Sequence, residues 1–281
     1  MSAAPPTNKS ILITGCSSGI GLHCAKRLKE DGWFVVATAR KEEDLEMLRS
    51  LGLEAIYLDY CDTGSIHSAF DQMMALTHGR LDALFNNGAY GQAGAVEDLS
   101  SDVLRQQFEA NFFGWHELTN LCVPLMRQQR SGRIVHCSSV LGFVPYRWRG
   151  AYNASKHALG GLASTMRLEL AGSGVFVSLI EPGPIESKFT LNGLEHFEAN
   201  IDRQSSVHRK EYEAQLVRLK SNGGKDRFRL GPEAVYKSLD HALTAKRPKA
   251  HYHITVPTKF MSVAKRLLPQ SLVDAILLRS A

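Results

Sequence analysis

The sequence has no long apolar run and no cluster of cysteines. Across its 281 residues, 18 apolar residues never follow one another, and the first eight, MSAAPPTN, lack the apolar stretch of a secretory signal. We therefore expect no transmembrane span and no secretion. The five cysteines are odd in number and scattered along the chain, which favours reduced thiols and a cytoplasmic location.

The sequence also lacks a block of like charges, a basic stretch interleaved with aromatic residues, and a zinc-type spacing of ligands. We therefore predict no nucleic-acid partner and no metal site, since His251 and His253 alternate onto one strand face without a third ligand. With a net charge of +5 and 44% hydrophobic residues, the chain can bury one large core. We predict a single domain over residues 1–281, with residues 1–8 as a flexible N-terminus.

Short apolar runs alternate with segments of helical periodicity along the chain. The runs that we predict as strands are residues 11–13, 33–38, 55–58, 81–85, 134–137, 175–180 and 251–256. One long helix is predicted over residues 101–129, and two short helices interrupted by Pro269 are predicted near the C-terminus. This order is typical of an α/β protein with a doubly wound parallel sheet of about seven strands and helices on both faces.

A glycine-rich turn, TGCSSGIG at residues 14–21, stands between the first predicted strand and the first predicted helix. Glycines let a backbone approach a pyrophosphate closely, and the free N–H groups and dipole of a helix N-terminus attract it. The turn alone also fits an ordinary loop, but between a strand and a helix it predicts a dinucleotide site. The residues that would contact the cofactor there are Gly15, Ser17, Ser18, Gly19 and Ile20.

Tyr152 and Lys156 lie four residues apart, so on a helix they share one face. A nearby ammonium favours the phenolate and lowers the pKa of a tyrosine toward the working range, which would let the pair transfer a proton. The spacing alone fits a solvated helix face equally well. It gains meaning from Ser139, which lies thirteen residues before Tyr152, and from the glycine-rich turn.

Together these features resemble the classical short-chain dehydrogenases/reductases. The elements that match in order and spacing are the turn at 14–21, Asn86 with Asn87, Asn111, Ser139, Tyr152 with Lys156, and Pro182 with Gly183. The resemblance covers about residues 9–183 and is nearest to the retinol dehydrogenase and hydroxysteroid dehydrogenase-like members. It implies a single-domain Rossmann fold and an oxidoreductase that transfers hydride between a nicotinamide and a carbonyl or alcohol.

The resemblance implies a catalytic set of four residues. Ser139 would hold the substrate oxygen, with Ser138 as the rival assignment, and Tyr152 would deliver the proton. Lys156 would hold the cofactor ribose and lower the pKa of the tyrosine. Asn111 would disturb its helix and hold a water molecule beside the lysine.

The residues at the end of the second predicted strand indicate whether NAD or NADP(H) is preferred, because a carboxylate there would bind the ribose of NAD. Arg40 and Lys41 stand there instead, and they favour NADP(H) because a cation pairs with its 2′-phosphate. Both residues also fit a solvated start to the next helix. Cys16 and Ser17 occupy turn positions where many NADP-binding relatives carry a basic residue, so mixed specificity stays open.

Further cofactor contacts are implied by the resemblance. Asp59 matches the adenine-binding carboxylate, with a turn cap as the alternative, and Asn87 matches the asparagine under the adenosine. The Asn-Asn-Ala-Gly of the family reads Asn-Asn-Gly-Ala here. The loop expected to hold the nicotinamide amide contributes Pro182, Gly183, Ile185 and Ser187, the last in place of a threonine.

Two segments should form the walls of the substrate site: the residues between Ser139 and Tyr152, and residues 188–230, which resemble the substrate lid of the family. We expect Phe189 and Phe197 of the lid to contact the substrate instead of a permanent core. The length of the lid favours a bulky lipophilic ketone, aldehyde or secondary alcohol. A 3-oxoacyl-thioester reductase and a non-catalytic nucleotide-binding sensor or scaffold are the alternatives.

Residues 258–281 form a C-terminal extension with apolar residues at helical spacing and few acidic ones. Its cations are Lys259, Lys265, Arg266 and Arg279. We expect the extension to pack on the body of the protein or on a second subunit, and a surface that also touches a membrane is the alternative. We expect a homodimer or a homotetramer.

Overall fold

The computed structural model describes residues 9–220 and 228–280, and its centre is one parallel sheet of seven strands. The strands are β1 (Ser10–Ile13), β2 (Phe34–Ala39), β3 (Glu54–Tyr57), β4 (Ala83–Asn86), β5 (Gly132–Cys137), β6 (Val175–Glu181) and β7 (His251–His253). Their order across the sheet is β3-β2-β1-β4-β5-β6-β7. The predicted doubly wound sheet is thus confirmed, while the predicted flexible residues 1–8 lie outside the described part of the chain.

Helices cover both faces of the sheet. They are α1 (Gly19–Glu30), α2 (Glu42–Ser50), α3 (Thr63–Leu76), α4 (Ser101–Phe108), α5 (Gly114–Gln129), α6 (Gly150–Glu169), α7 (Phe189–Asn200), α8 (Arg209–Lys220), α9 (Glu233–Thr244), α10 (Val256–Leu267) and α11 (Gln270–Ser280). α1 packs against α9 on one face, and α3 packs against α5 on the other. Strands β1 and β4 are buried along their whole length, as near-continuous apolar runs in a covered parallel sheet should be.

The chain reverses its direction of travel across the sheet between β1 and β4. Strands β1, β2 and β3 follow one another outward, and β4 then returns to the other side of β1. Gly15 follows β1 with a φ of +68°, and a Cβ there would lie 2.5 Å from the Cα of Gly88, which follows β4. The loops after these two strands therefore touch, and a crevice opens at the carboxyl ends where α/β sheets bind their ligands.

The helix predicted over residues 101–129 is interrupted. Between α4 and α5 the chain forms a π-helical segment, Glu109–Phe113. Asn111 in this segment holds the backbone of Tyr90: its Nδ2 donates to the Tyr90 carbonyl at 2.8 Å, and its Oδ1 accepts from the Tyr90 N–H at 3.2 Å. Hydrophobic periodicity does not show such an insertion, which serves one side chain and is frequent at functional sites.

The last predicted strand, residues 251–256, is shorter in the structure. β7 ends at His253, and α10 begins at Val256 after the N-cap residue Thr255. Pro257 lies in the first turn of α10, where its fixed φ suits a helix and its missing N–H is not needed. The prediction therefore assigned the start of a helix to the strand.

Two smaller apolar clusters lie outside the main core. Around Phe197 and Tyr212, side chains of α7 and α8 pack on the loop before α4. Near the C-terminus, Met261 of α10 and Val273 of α11 pack on Val144, so the predicted pair of short helices is confirmed and it docks on the body of the protein. Among the described residues, no helix has both the length and the apolar character needed to cross a bilayer.

Candidate active site

Ser139, Tyr152 and Lys156 meet where β5 ends and α6 begins. Lys156 is fully buried and Tyr152 is only 6% exposed. Ser139 follows β5 in an extended conformation and caps the short 3-10 turn Val140–Gly142, its Oγ accepting from the Leu141 N–H at 3.1 Å. The carboxyl end of β5 thus positions the serine, and one face of α6 presents the tyrosine and the lysine to it.

Burial raises the pKa of the Tyr152 phenol above its usual range, and Cys137 acts in the same direction. A hydrogen bond with the Ser139 side chain and the charge of the Arg149 guanidinium lower that pKa in part. The phenol therefore stays protonated at neutral pH, which is the state that a proton donor to a carbonyl oxygen needs.

The Lys156 ammonium points toward an aromatic face and a backbone carbonyl. Its Nζ lies 3.9 Å from the centroid of the Trp115 ring and donates to the Cys137 carbonyl at 3.0 Å. Burial lowers the pKa of Lys156 to about 7. Arg149 is a cation that lowers the pKa of Tyr152 in the structure, and the expected effect of Lys156 on that pKa stays a prediction.

Ser138, the rival to Ser139, faces away from the tyrosine. Its Oγ lies beside Gly142, where an added Cβ would come within 2.5 Å of it. The Ser138 hydroxyl is buried and has no hydrogen-bond partner in the described part of the chain. Successive side chains of an extended segment point to opposite sides, so only Ser139 reaches the phenol.

The asparagine after β4 braces the glycine-rich turn. Asn87 Nδ2 donates to the carbonyls of Thr14 at 3.0 Å and of Gly15 at 3.2 Å. In return, Thr14 Oγ1 accepts from the backbone N–H groups of Asn87 at 2.8 Å and of Gly88 at 3.1 Å. Gly88, which takes the place of the family's alanine, packs on Gly15 backbone to backbone, and a Cβ at Gly88 would lie 3.3 Å from the Gly15 Cα.

The glycine-rich turn also meets the loop that follows β6. Gly19 has a φ of +55°, and a Cβ there would lie 3.0 Å from Cβ of Ser187. Ser18 is the N-cap of α1, yet its side chain makes no capping hydrogen bond among the described residues. Amide groups of the first turn of α1 are therefore not capped by this side chain, as free N–H groups at a helix N-terminus require. Ser17 and Ile20 occupy the same turn and are partly buried.

The loop after β6 is tied at both ends. The Pro182 carbonyl accepts from the Val140 N–H at 2.8 Å, which places this loop beside the turn that Ser139 caps. Further along, Ile185 forms a bridge with Leu230, and the Glu186 N–H donates to the Leu230 carbonyl at 2.9 Å. Gly183 has no room for a side chain, because a Cβ would collide with Thr255.

Arg40 and Asp59 stand together at the ends of β2 and β3. Arg40 Nη1 lies 4.0 Å from Asp59 Oδ2, and both groups are partly open to solvent. Asp59 Oδ1 accepts from the Cys61 N–H at 3.0 Å, so the turn-cap alternative for Asp59 is correct for that oxygen. Lys41 is the N-cap residue of α2 and pairs with Glu43 at 3.4 Å, as a solvated helix start would.

The two phenylalanines of the predicted lid have different surroundings. Phe189 lies against the Tyr152 ring with centroids 5.3 Å apart. Phe197 is 5% exposed and packs against Tyr212 in the cluster that joins α7 and α8. The expectation that Phe197 stays outside a permanent core is therefore wrong, because α7 and α8 need an apolar core of their own.

Comparison with known proteins assigns the family. The sequence profile described as short chain dehydrogenase matches residues 9–196, more than half of the chain. The chain belongs to this family. A relative in Escherichia coli strain K12, the uncharacterized oxidoreductase YbbO, is 42% identical over 269 residues, which cover 96% of this chain and 94% of the relative. Human retinol dehydrogenase 8 is 39% identical over 199 residues, which cover 67% of this chain and 62% of that protein.

Solved structures share the fold of this short-chain dehydrogenase. One from Streptomyces avermitilis superposes with a TM-score of 0.80 at 27% identity, covering 98% of this chain and 97% of that one. An actinorhodin polyketide ketoreductase solved with NADPH gives 0.73 at 25% identity, covering 90% and 97%. A Burkholderia phymatum member solved with NAD gives 0.76 at 24% identity, covering 94% of each chain, and shows the fold alone. The protein is an oxidoreductase of this family.

Some residues of the dehydrogenase site were missed from the sequence. Trp115 lies four residues after Asn111, so helical spacing placed it on the same face, but its contact with Lys156 was not anticipated. The hydroxyl of Tyr60 lies 2.8 Å from Thr14 Oγ1 and 2.6 Å from Asn86 Oδ1. No sequence pattern predicted these contacts, because Tyr60 follows the end of a strand. Arg149 lies in the segment between Ser139 and Tyr152 that was predicted to wall the substrate site, but the sequence assigned it no role of its own.

Proposed function

We propose that this short-chain dehydrogenase transfers hydride between NADP(H) and a bulky lipophilic ketone, aldehyde or secondary alcohol. The observation that carries the proposal is the meeting of Ser139, Tyr152 and Lys156 beside the crevice between β1 and β4. Perturbed titratable groups at such a crevice mark a catalytic centre more often than a structural one. A non-catalytic sensor or scaffold would not need a buried tyrosine and serine held together.

The cradle at the crevice fits a dinucleotide. Side chains are excluded at Gly15 and Gly21 because each Cβ would collide with neighbouring backbone, so a ligand can approach the main chain closely. NADP(H) would supply the hydride at its nicotinamide. The groups proposed to hold its pyrophosphate are Gly15, Ser17, Ser18, Gly19 and Ile20. Those proposed for the adenosine and nicotinamide ends are Arg40, Asp59, Asn87, Pro182, Gly183, Ile185 and Ser187.

The proton is moved by the chain's own residues. In reduction, the Tyr152 hydroxyl donates its proton to the substrate oxygen, while the Ser139 hydroxyl donates a hydrogen bond to the same oxygen. Lys156 would hold the ribose hydroxyls of the bound cofactor, and Asn111 would hold a water molecule near the lysine through which a proton returns from solvent. Oxidation of an alcohol runs through the same groups in the opposite direction.

Arg40 supports the preference for NADP(H). It stands at the end of β2, its guanidinium is exposed, and the ion pair with Asp59 is as long as 4.0 Å. A 2′-phosphate would offer it a closer anion and a charge-assisted hydrogen bond. The relatives solved with NADPH and with NAD show that both cofactors occur on this fold.

The unit formed by α7 and α8 supports a lipophilic substrate. Its inner surface carries Phe189 and Leu194, and the adjoining cavity is walled largely by apolar and aromatic side chains. A segment with its own small core can open and close as a body, which would exclude water during hydride transfer. We assign residues 188–230 as the substrate lid, of which 221–227 lie outside the described residues.

The oligomeric state and the location of the protein are part of the proposal. We assign it to the cytoplasm as a homodimer or homotetramer. Peripheral membrane contact through the extension 258–281 rests on one exposed apolar face of α10, made by Val256, Phe260, Val263 and Leu267.

A carbonyl panel with both cofactors tests the proposed function. Aldehydes and ketones of increasing chain length, a steroid, a retinoid and a 3-oxoacyl thioester are each assayed with NADPH and with NADH. We expect turnover with NADPH whose kcat/KM rises with chain length. Activity confined to the thioester would favour the 3-oxoacyl reductase alternative, and absence of turnover despite cofactor binding would favour the sensor.

A further inference from the structure

A cavity of about 90 Å³ lies between the loop that enters α6 and the α7–α8 unit. Much of its wall is apolar or aromatic, including Trp148, Leu194, Phe197 and Leu216. Two arginines, Arg147 and Arg149, also line it, and among the described residues of its wall none is Asp or Glu. The cavity therefore combines an apolar wall with positive charge.

Arg149 is partly buried and lacks an anionic partner. In residues 9–220 and 228–280, no carboxylate forms an ion pair with it, and its Nη1 donates only to the neighbouring Trp148 carbonyl, at the limiting distance of 3.5 Å. Arg80, by contrast, is well exposed and still holds Asp82 at 2.7 Å. A guanidinium has five N–H donors, and leaving it half-desolvated without an acceptor is costly. Its donors are thus available to a ligand in the cavity.

Arg149 also lies close to the reacting groups. It is the N-cap residue of α6, and Tyr152 follows in the first turn of that helix. The charge of Arg149 lowers the pKa of the Tyr152 phenol. Burial lowers the pKa of Arg149, and Tyr146 and Tyr152 oppose that effect in part, so Arg149 and Tyr152 interact electrostatically. An anion held by Arg149 would therefore lie inside the substrate site and not at its rim.

We propose that Arg149 binds an anionic group of the substrate, whose apolar body fills the cavity and whose carbonyl faces Tyr152. This inference rests on the proposed function and narrows its substrate class to lipophilic oxo acids. The planar guanidinium matches the two oxygens of a carboxylate, and it also matches a phosphate. In the reaction the carbonyl carbon gains hydride from the reduced nicotinamide, the carbonyl oxygen gains the Tyr152 proton, and the anionic group is unchanged.

Matched substrates test the proposal. A medium-chain ω-oxo fatty acid, its methyl ester and an ω-oxoalkyl phosphate of the same length are compared in kcat/KM. We expect the acid to exceed the ester by roughly 10- to 100-fold, the usual size of a charge-assisted hydrogen bond. The ω-oxoalkyl phosphate shows whether Arg149 prefers a phosphate or a carboxylate. A higher kcat/KM for either anionic substrate than for the ester supports the anion site.

Two variants and a matched control locate the effect. Arg149→Met should lower kcat/KM for the acid far more than for the ester, so that the preference for the acid is lost, and Arg149→Lys should keep part of that preference. Arg147→Met is the control, because its exposed guanidinium lines the same cavity but lies over the Trp148 ring at 4.9 Å. The control should retain most of the preference.

Two kinetic outcomes would overturn the proposal. Equal kcat/KM for acid and ester in the unaltered enzyme is one. The other is an equal loss on both substrates in Arg149→Met with a shifted pH profile, which would assign the arginine to the pKa of Tyr152 alone. Calorimetry with an unreactive medium-chain fatty acid is independent of turnover: binding that its methyl ester does not show supports the anion site even if the proposed reaction fails. Equal binding of acid and ester contradicts the site.

Discussion

At the scale of single residues, Lys156 has the most unusual surroundings. The partners of this fully buried ammonium are the Cys137 carbonyl, the Trp115 ring and, at 5.8 Å from its centroid, the Tyr152 ring. Burying a charge with so little compensation lowers its pKa to about 7 and opposes folding. The helical spacing predicted that Lys156 lies on the face of Tyr152, but it could not show which groups the ammonium would meet.

Lys156→Met should stabilise the free protein while removing activity. The pKa of about 7 in the folded chain lies below the unfolded value near 10.4, so the unfolded state binds the proton more tightly. The wild type therefore loses stability as the pH falls from about 10 to about 7, by a few kcal/mol. We expect the Tm of the variant to exceed that of wild type by several degrees at or below pH 7, since about 1 kcal/mol shifts Tm by roughly 2–4 °C.

Thermal scans of both proteins between pH 6 and pH 10 check this prediction. The difference in Tm should shrink toward pH 10. Lys26→Met on the exposed face of α1 is the control and should change little at any pH. A variant less stable than wild type throughout would show that the cation–π contact outweighs the cost of burial.

Tyr152→Phe should abolish turnover and leave cofactor binding nearly intact. The change removes only the proton-donating hydroxyl, and general-acid catalysis is typically worth 10²–10⁴-fold in rate. Single-turnover rates and NADPH titration measure the two effects separately. Tyr57→Phe, at the exposed end of β3, is the control. Undiminished turnover in the Tyr152 variant would remove the proposed mechanism.

Arg40→Ser should weaken NADPH binding selectively. A charge-assisted contact to a phosphate is worth roughly 1.5–3 kcal/mol, or one to two decades in Kd, and NADH lacks that phosphate. Binding constants for both cofactors are measured in this variant and in Lys41→Ser. Equal losses for NADPH and NADH would show that Arg40 acts through Asp59 on the structure of the turn.

At the scale of elements, periodicity predicted the parallel sheet because buried strands and amphipathic helices each have a simple repeat. Periodicity missed features that one distant contact or a local cap determines. The helix predicted over residues 101–129 is interrupted because Asn111 reaches Tyr90, a disturbance that the family resemblance implied and periodicity did not. Strand β7 is short because Thr255 and Pro257 start a helix. The glycine-rich turn was predictable because its backbone needs positive φ angles and close approach to other main chain, which only glycine allows. Arg149 was missed because its meaning depends on a cavity formed by α7 and α8.

The α7–α8 unit should become protected when ligands bind. It packs through a small cluster around Phe197 and Tyr212, separate from the main core and shared with the loop before α4, and Phe189 contacts Tyr152. Elements with few contacts to the main core open at low free energy. We expect amide hydrogen exchange of α7 and α8 to slow when NADPH and a lipophilic ligand are both present. Exchange in α9, whose inner side chains belong to the main core, should stay unchanged, and equal protection of α7 without ligands would contradict a moving lid.

At the scale of the whole molecule, the C-terminal helices leave an apolar surface uncovered. Phe260 is 55% exposed and Leu267 is 76% exposed on α10, and Lys259 and Arg266 lie on the same helix. Of the acidic residues, only Asp274 falls within residues 258–281. An amphipathic helix with an exposed apolar face and a basic border is typical of a protein that binds an anionic bilayer surface.

We therefore expect the protein to bind vesicles that contain phosphatidylserine, and to bind neutral vesicles more weakly. The apolar face supplies the burial and the cations supply attraction that salt should screen, so raising the salt concentration should release the protein. Vesicle flotation measures the bound fraction of the wild type and of Phe260→Ser. Leu168→Ser is the control, because Leu168 is an exposed leucine of α6 that lies far along the sequence from the extension. If the wild type does not bind vesicles and Phe260→Ser changes the sedimentation coefficient, a second subunit covers the apolar face of α10, and the membrane assignment is wrong.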